Sequence, residues 1–182
     1  MPTHEALRKY LRDNRVDYTV TTHPPAYTAQ EVAHAVRVSG YELAKVVVFS
    51  GSEGYLMAVL PAPYLVDVEK LREITGRPDL RLAEEETFAG VFSDSEKGAE
   101  PPFGNLYGVP VWVDSSLALR GEIVFNACTH RETITMSYGD FERLAAPKVA
   151  SFALRSEPAR SGADRAGATP PGRRGAGGPA VL

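Results

Sequence analysis

Cysteine is nearly missing from this sequence of 182 residues. The one thiol, Cys128, has no partner for an internal disulfide, and no Cys/His pair stands at zinc-ligand spacing. Disulfide scaffolds and zinc-ribbon proteins are thereby excluded, and a reducing, cytoplasmic setting is expected. Long apolar runs are missing too: nothing approaches the roughly 18 residues of a membrane span. The start, MPTHEALRKYLRDNR, is charged and helical in pattern, unlike a signal peptide. There is no excess of positive charge. Twenty Lys and Arg face 23 Asp and Glu, for a net charge of −3. That balance argues against a general nucleic-acid binder, DNA-binding proteins included, but allows a protein that grips one end of an RNA through a few contacts. Finally, no H-x-x-x-H, G-x-S-x-G, Walker or G-x-G-x-x-G pattern occurs. No metal and no cofactor is expected.

What is present is an ordinary globular composition, 43% hydrophobic and 24% charged, with a break near Phe152. Residues 1–152 read as one domain. From Ala153 the chain turns to Gly, Ala, Pro and Arg, too poor in large apolar residues to offset the entropy of ordering. Residues 153–182 are therefore expected to form a disordered tail. It holds five Arg against Glu157 and Asp164, or +3, which leaves about −6 on the body by subtraction from −3.

Within the body, helical and strand patterns alternate. Ala6, Leu7, Tyr10 and Leu11 recur at helical spacing with Thr3 as N-cap, and 16–22 alternates like a strand until His23-Pro24-Pro25 stops it. Thr28 with Glu31 is a capping box for a helix over 29–36. LAKVVVFS (43–50) and YLMAVLP (55–61) flank Gly51-Ser52-Glu53-Gly54, a hairpin signature. Asp67 caps a short helix to Ile74, a brief strand falls at 81–82 and a helical turn over 84–89. Strands follow in VPVWVD, EIVFNA and ETITMSY, then a helix over 138–144 and a closing strand at 149–152. Hairpins rather than regular βαβ crossovers indicate an α+β domain on a largely antiparallel sheet.

Three segments carry candidate chemistry. Lys45 lies in an otherwise apolar strand, and an unpaired buried ammonium costs several kcal/mol. It must reach water, a carboxylate or a ligand anion, so it is either a snorkelling strand-end lysine or a phosphate grip. GAEPPFGN (98–105) sets two prolines beside two glycines, giving either a tight connection or a rigid wall that offers backbone groups to a ligand. FNACTH (125–130) places Asn126 and His130 after a strand, where they either line a cleft or serve the fold. Cys128 as a nucleophile is a further alternative, although proximity in sequence does not make a Cys-His pair.

Taken in order, THPPAYTAQEVA, LAKVVV, the Gly-x-x-x-Pro motif of Gly98 to Pro102, FGNLYGVPVWVD and IVFNACTH resemble the YbaK/prolyl-tRNA-synthetase-associated domain family over 7–152. The resemblance implies a single α+β domain whose central sheet is mixed, mostly antiparallel and barrel-like, flanked by helices. It implies a trans-acting aminoacyl-tRNA deacylase that hydrolyses the ester of a small non-cognate amino acid on mischarged tRNA. The partners implied are the 3′-terminal adenosine, its aminoacyl group and an aminoacyl-tRNA synthetase. No metal or covalent intermediate is implied. Lys45 matches the lysine that holds the terminal phosphate, Gly98 the glycine beside the scissile ester, and His130 a pocket histidine. Tyr27, Pro102, Asp114 and Asn126 match substrate-binding positions. A module that binds tRNA ends or nucleotides without catalysis, regulating a synthetase, is the alternative.

Overall fold

The computed structural model describes residues 5–155. Helix α1 (Glu5–Asp13) buries Leu7 and Leu11, one turn apart, while the expected cap Thr3 lies outside the described residues. Strand β1 (Tyr18–Thr22) follows. Helix α2 (Ala29–Val36) opens with the capping box: Thr28 Oγ1 accepts from Glu31 N–H, and the Glu31 carboxylate accepts from Thr28 N–H. Strands β2 (Ala44–Gly51) and β3 (Gly54–Pro61) form the expected hairpin, with Gly51 opposite Gly54 across Ser52-Glu53. Then come β4 (Tyr64–Val66), α3 (Val68–Thr75) capped by Asp67, β5 (Arg81–Leu82) and α4 (Glu85–Phe88). A 3-10 turn at Gly104–Tyr107 leads to β6 (Val111–Asp114), α5 (Ser115–Ala118), β7 (Glu122–Asn126), β8 (Glu132–Ser137), α6 (Tyr138–Ala145), β9 (Lys148–Ala150) and β10 (Ala153–Arg155).

The α+β class holds, and five of the seven strand ladders are antiparallel. The single barrel-like sheet does not: among the described residues there are three sheets, and none closes. One has five strands in the order β5-β2-β3-β6-β9, one has three (β1-β8-β7), and β4 pairs with β10. Closure fails because β2 and β7 share only one parallel bridge, Leu43 to Val124, reinforced by Val124 N–H to Glu42 C=O at 3.0 Å. Beyond it the two sheets part company. Strand β10 pairs with β4, Ala153 lying opposite Val66, while 156–182 lies outside the described residues.

Alternation along β3 shows how the large sheet is buried on both faces. Met57 and Val59 enter one core with Leu7, Leu11, Phe103, Phe125 and Phe141. Leu56, Ala58 and Leu60 enter another with Phe49, Leu71, Leu80 and Phe152. A third, smaller cluster joins Val32 of α2 to Leu43 and Val124, so α2 covers the junction where the sheets touch. In the first core Phe103 stands edge-on to Phe125 and Phe141, with ring centroids 5.6 and 5.4 Å away. The next residue explains why FGN needs its glycine. A Cβ on Gly104 would lie 2.4 Å from Val109 C=O, a contact that only the missing side chain allows.

Candidate active site

Where β2 and β7 diverge, a cavity of about 160 Å³ opens. Its walls are Leu43 to Val46 at the start of β2, Ala29 and Val32 of α2, Asn126 at the end of β7, Tyr27, and Gly98 with Glu100. Four residues expected at a site from the sequence are thus brought together: Lys45, Gly98, Tyr27 and Asn126.

Lys45 is half-buried, and its Nζ donates to the backbone carbonyl of Tyr64 in β4. That protein partner is a strand carbonyl, not a carboxylate, and sequence could not place it there. An ammonium has three N–H donors, so others are left for a ligand. Burial holds its pKa below the usual lysine value, since an ammonium in a low-dielectric wall is poorly solvated.

Gly98 adopts φ +79°, a left-handed conformation that favours glycine. A Cβ there would stand 3.7 Å from His130 Cε1. Its N–H is held by Glu100 Oε1 at 3.1 Å, which folds the carboxyl back over the loop and into the cavity wall. Glu100 is only 8% exposed, and burial pushes its carboxyl above the usual range, partly offset by its own and the Gly98 N–H. Sequence reading named no role for Glu100. The available signal was a charged residue inside a segment whose neighbours, Ala99 and Phe103, are built for burial.

His130 is buried but does not line the cavity; it stands behind the wall. Its Nε2 lies 2.7 Å from Lys97 C=O, and because a carbonyl only accepts, Nε2 carries the proton. Its backbone N–H donates to Glu96 Oε2 at 2.8 Å, and its C=O accepts from Ala26 N–H at 3.0 Å. Its ring packs 4.7 Å from the Tyr27 ring. One residue thus ties the approach to Gly98 to the segment bearing Tyr27, whose own side chain is 71% exposed.

Two expected site residues lie elsewhere. Pro102 is buried but does not border the cavity. Asp114 does not face it either. It is 2% exposed and its carboxylate is saturated: Oδ2 accepts from Phe152 and Ala153 N–H, both at 2.8 Å, and Oδ1 from Ser116 N–H and Oγ–H. Burial alone would raise its pKa, but these four hydrogen bonds outweigh it and hold the carboxyl below the ordinary value. Asp114 caps α5 and ties down the end of the fold. Cys128 is fully buried, and burial pushes its thiol up to about 11, far from the thiolate that nucleophilic attack requires. Among the described residues, no group of three or more His, Cys, Asp and Glu is placed to hold a metal ion, and no helix is long and apolar enough to cross a membrane.

A cleft at a sheet junction, walled by a half-buried lysine and a left-handed glycine, is joined by a match of residues 23–144 to the aminoacyl-tRNA editing domain. That match covers most of the chain, and the protein belongs to this family of aminoacyl-tRNA editing hydrolases, which act as deacylases. Among curated proteins it is similar to the prolyl-tRNA editing protein ProX of Acetoanaerobium sticklandii, with 24% identity over 150 residues, 79% of this chain and 91% of the relative. The fold is shared with the crystal structure of a candidate trans-editing enzyme for prolyl tRNA synthetase, at TM-score 0.73 and 23% identity, covering 84% of this chain and 97% of that one. A second crystal structure, of a hypothetical protein, superposes at TM-score 0.75 with 18% identity, over 82% of this chain and all of that one.

Proposed function

We propose that this deacylase clears a small non-cognate amino acid from mischarged tRNA in the cytoplasm, acting on the tRNA for proline, and that the cavity beside Gly98 is where the ester is cleaved. The observation that carries this reading is the convergence of Lys45, Gly98, Tyr27 and Asn126 on one small cavity. The likeness to ProX supports the choice of tRNA. A volume of about 160 Å³ suits an aminoacyl group with an attacking water and leaves the adenosine outside. Such a limit is useful, because one methylene discriminates by only about 1–3 kcal/mol, so a second, size-selective site is needed.

The remaining Lys45 donors hold a phosphate oxygen of the 3′-terminal nucleotide through charge-assisted bonds. Exposed Tyr27 offers its ring to the terminal adenine, a contact worth about 1–3 kcal/mol per base. Gly98 presents its backbone C=O, as an acceptor, to the attacking water or the 2′-OH, while Glu100 holds its N–H and fixes its conformation in advance, so little reorganisation is needed at reaction. His130 is a positioning residue, holding Gly98 and Tyr27 at a set separation. The 2′-OH of the terminal ribose and a water complete the site, and the activated ester needs no protein nucleophile. Hydrolysis of at least one tRNA for proline mischarged with a small amino acid, with correctly charged prolyl-tRNA spared, is the expected result. Equal affinity for charged and uncharged tRNA without turnover would instead identify a binding module.

A further inference from the structure

The cavity wall holds acceptors beyond the groups that grip the phosphate and the ester. Glu100 keeps a buried carboxyl there, and a carboxylate has about four lone-pair sites, of which the Gly98 N–H takes one. Among the described residues no Lys, Arg or His forms an ion pair with it, and His130, which favours its charge from farther off, is committed to Lys97 C=O. Lys45, on the same cavity, donates instead to Tyr64 C=O. Asn126 lines the same cavity, and its Oδ1 is buried with no hydrogen-bond partner. A buried acid without a directly paired cation is unfavourable, and so is a buried acceptor without a donor. A compact cation rich in N–H satisfies both.

We infer that Glu100 and Asn126 Oδ1 form a subsite for the α-ammonium group of the aminoacyl ester, so that the protein selects esters whose amino group is free. The inference rests on the deacylase reading and adds a substrate class to it. The cavity is then dipolar in the same sense as the substrate: Lys45 faces the phosphate and Glu100 faces the ammonium. Burial raises the Glu100 carboxyl, and an ammonium seated beside it restores the ionised form. Esters whose nitrogen is acylated, as in peptidyl- or formylaminoacyl-tRNA, carry no such cation and are spared.

The test compares alanyl-tRNA with its α-hydroxy analogue lactyl-tRNA, made from it by nitrous acid deamination, which replaces the ammonium by a hydroxyl of similar size. Rates are corrected for each ester's spontaneous hydrolysis. The wild-type protein is expected to favour the amine by about 10- to 100-fold in kcat/KM, the range of one charge-assisted hydrogen bond. Glu100→Gln retains an oxygen for the Gly98 N–H but removes the charge. It is expected to raise KM for alanyl-tRNA, leave kcat within about threefold, and lose most of the preference. Asn126→Ala, measured in parallel, should weaken the same preference. Equal wild-type rates on both esters, or a Glu100→Gln protein that keeps the full preference, would overturn the inference. So would a collapse of kcat with the preference intact, since that is the signature of a general base. Wild-type inactivity on every aminoacyl-tRNA would remove the deacylase reading itself.

Discussion

Replacing Asp114 with Ala separates a fold residue from a site residue. The substitution leaves Phe152 N–H, at a fully buried residue, and Ala153 N–H without an acceptor, and strips the cap from α5. An unsatisfied buried donor costs about 1–3 kcal/mol and a lost N-cap about 0.5–2 kcal/mol, so a loss near 3 kcal/mol is expected. For a domain of this size that lowers Tm by roughly 6–12 °C. Asp114→Asn should be nearly as damaging, because its NH₂ would face donors on one side or the other. The assay is urea or thermal unfolding followed by circular dichroism, with turnover measured well below the melting range. Turnover per folded molecule should be unchanged, because Asp114 does not border the cavity. Full stability combined with lost turnover would refute the reasoning and return Asp114 to the substrate site. The pH dependence has a defined sign. The folded carboxyl is held below its unfolded value of about 3.9, so its contribution is complete above that value and fades as pH falls through the folded one.

Other expectations follow from the cavity. Lys45→Ala should cut kcat/KM by about 10- to 100-fold, with the unfolding midpoint little changed. Because burial lowers the Lys45 pKa, the wild-type KM should rise at a less alkaline pH than an exposed lysine would dictate. Gly98→Ala places a side chain at φ +79° and 3.7 Å from His130, so a stability loss of about 1–2 kcal/mol should accompany a much larger loss of turnover, measured by single-turnover kinetics. Glu100→Gln should gain stability relative to wild type as pH rises past the carboxylate range. The folded carboxyl is raised, so the native state favours the proton and loses ground once the unfolded chain ionises; melting scans from pH 4 to 8 read this directly. Cys128→Ser should retain full activity per folded molecule, its buried thiol being far from ionisation at neutral pH.

Local signals in the sequence were sufficient wherever the structure is local. Thr28 with Glu31, Asp67 before Val68, and the Gly51–Gly54 turn each specify their element through bonds spanning three or four residues. Strands β4 and β10 and helix α5 were not legible. They are three or four residues long and exist because distant segments pair: Ala153 with Val66, and Asp114 with Phe152. Openness of the sheets was hidden for the same reason, since it depends on β2 and β7 sharing one bridge. The site was legible by residue type, and Lys45, Gly98, Tyr27 and Asn126 do meet. Its electrostatics were not. The acid at 100 looks like any glutamate until the loop from Gly98 turns it into a wall, and His130 looks like a pocket residue until its ring is seen bonded to Lys97 behind that wall.

The most direct test is hydrolysis of a panel of mischarged tRNAs for proline, carrying alanine, serine, threonine or cysteine, by wild-type protein and by Lys45→Ala. The wild type is expected to release at least one small amino acid and the variant little, with no attack on prolyl-tRNA by either. Wild-type protein that releases nothing from any member at micromolar concentration would contradict that expectation.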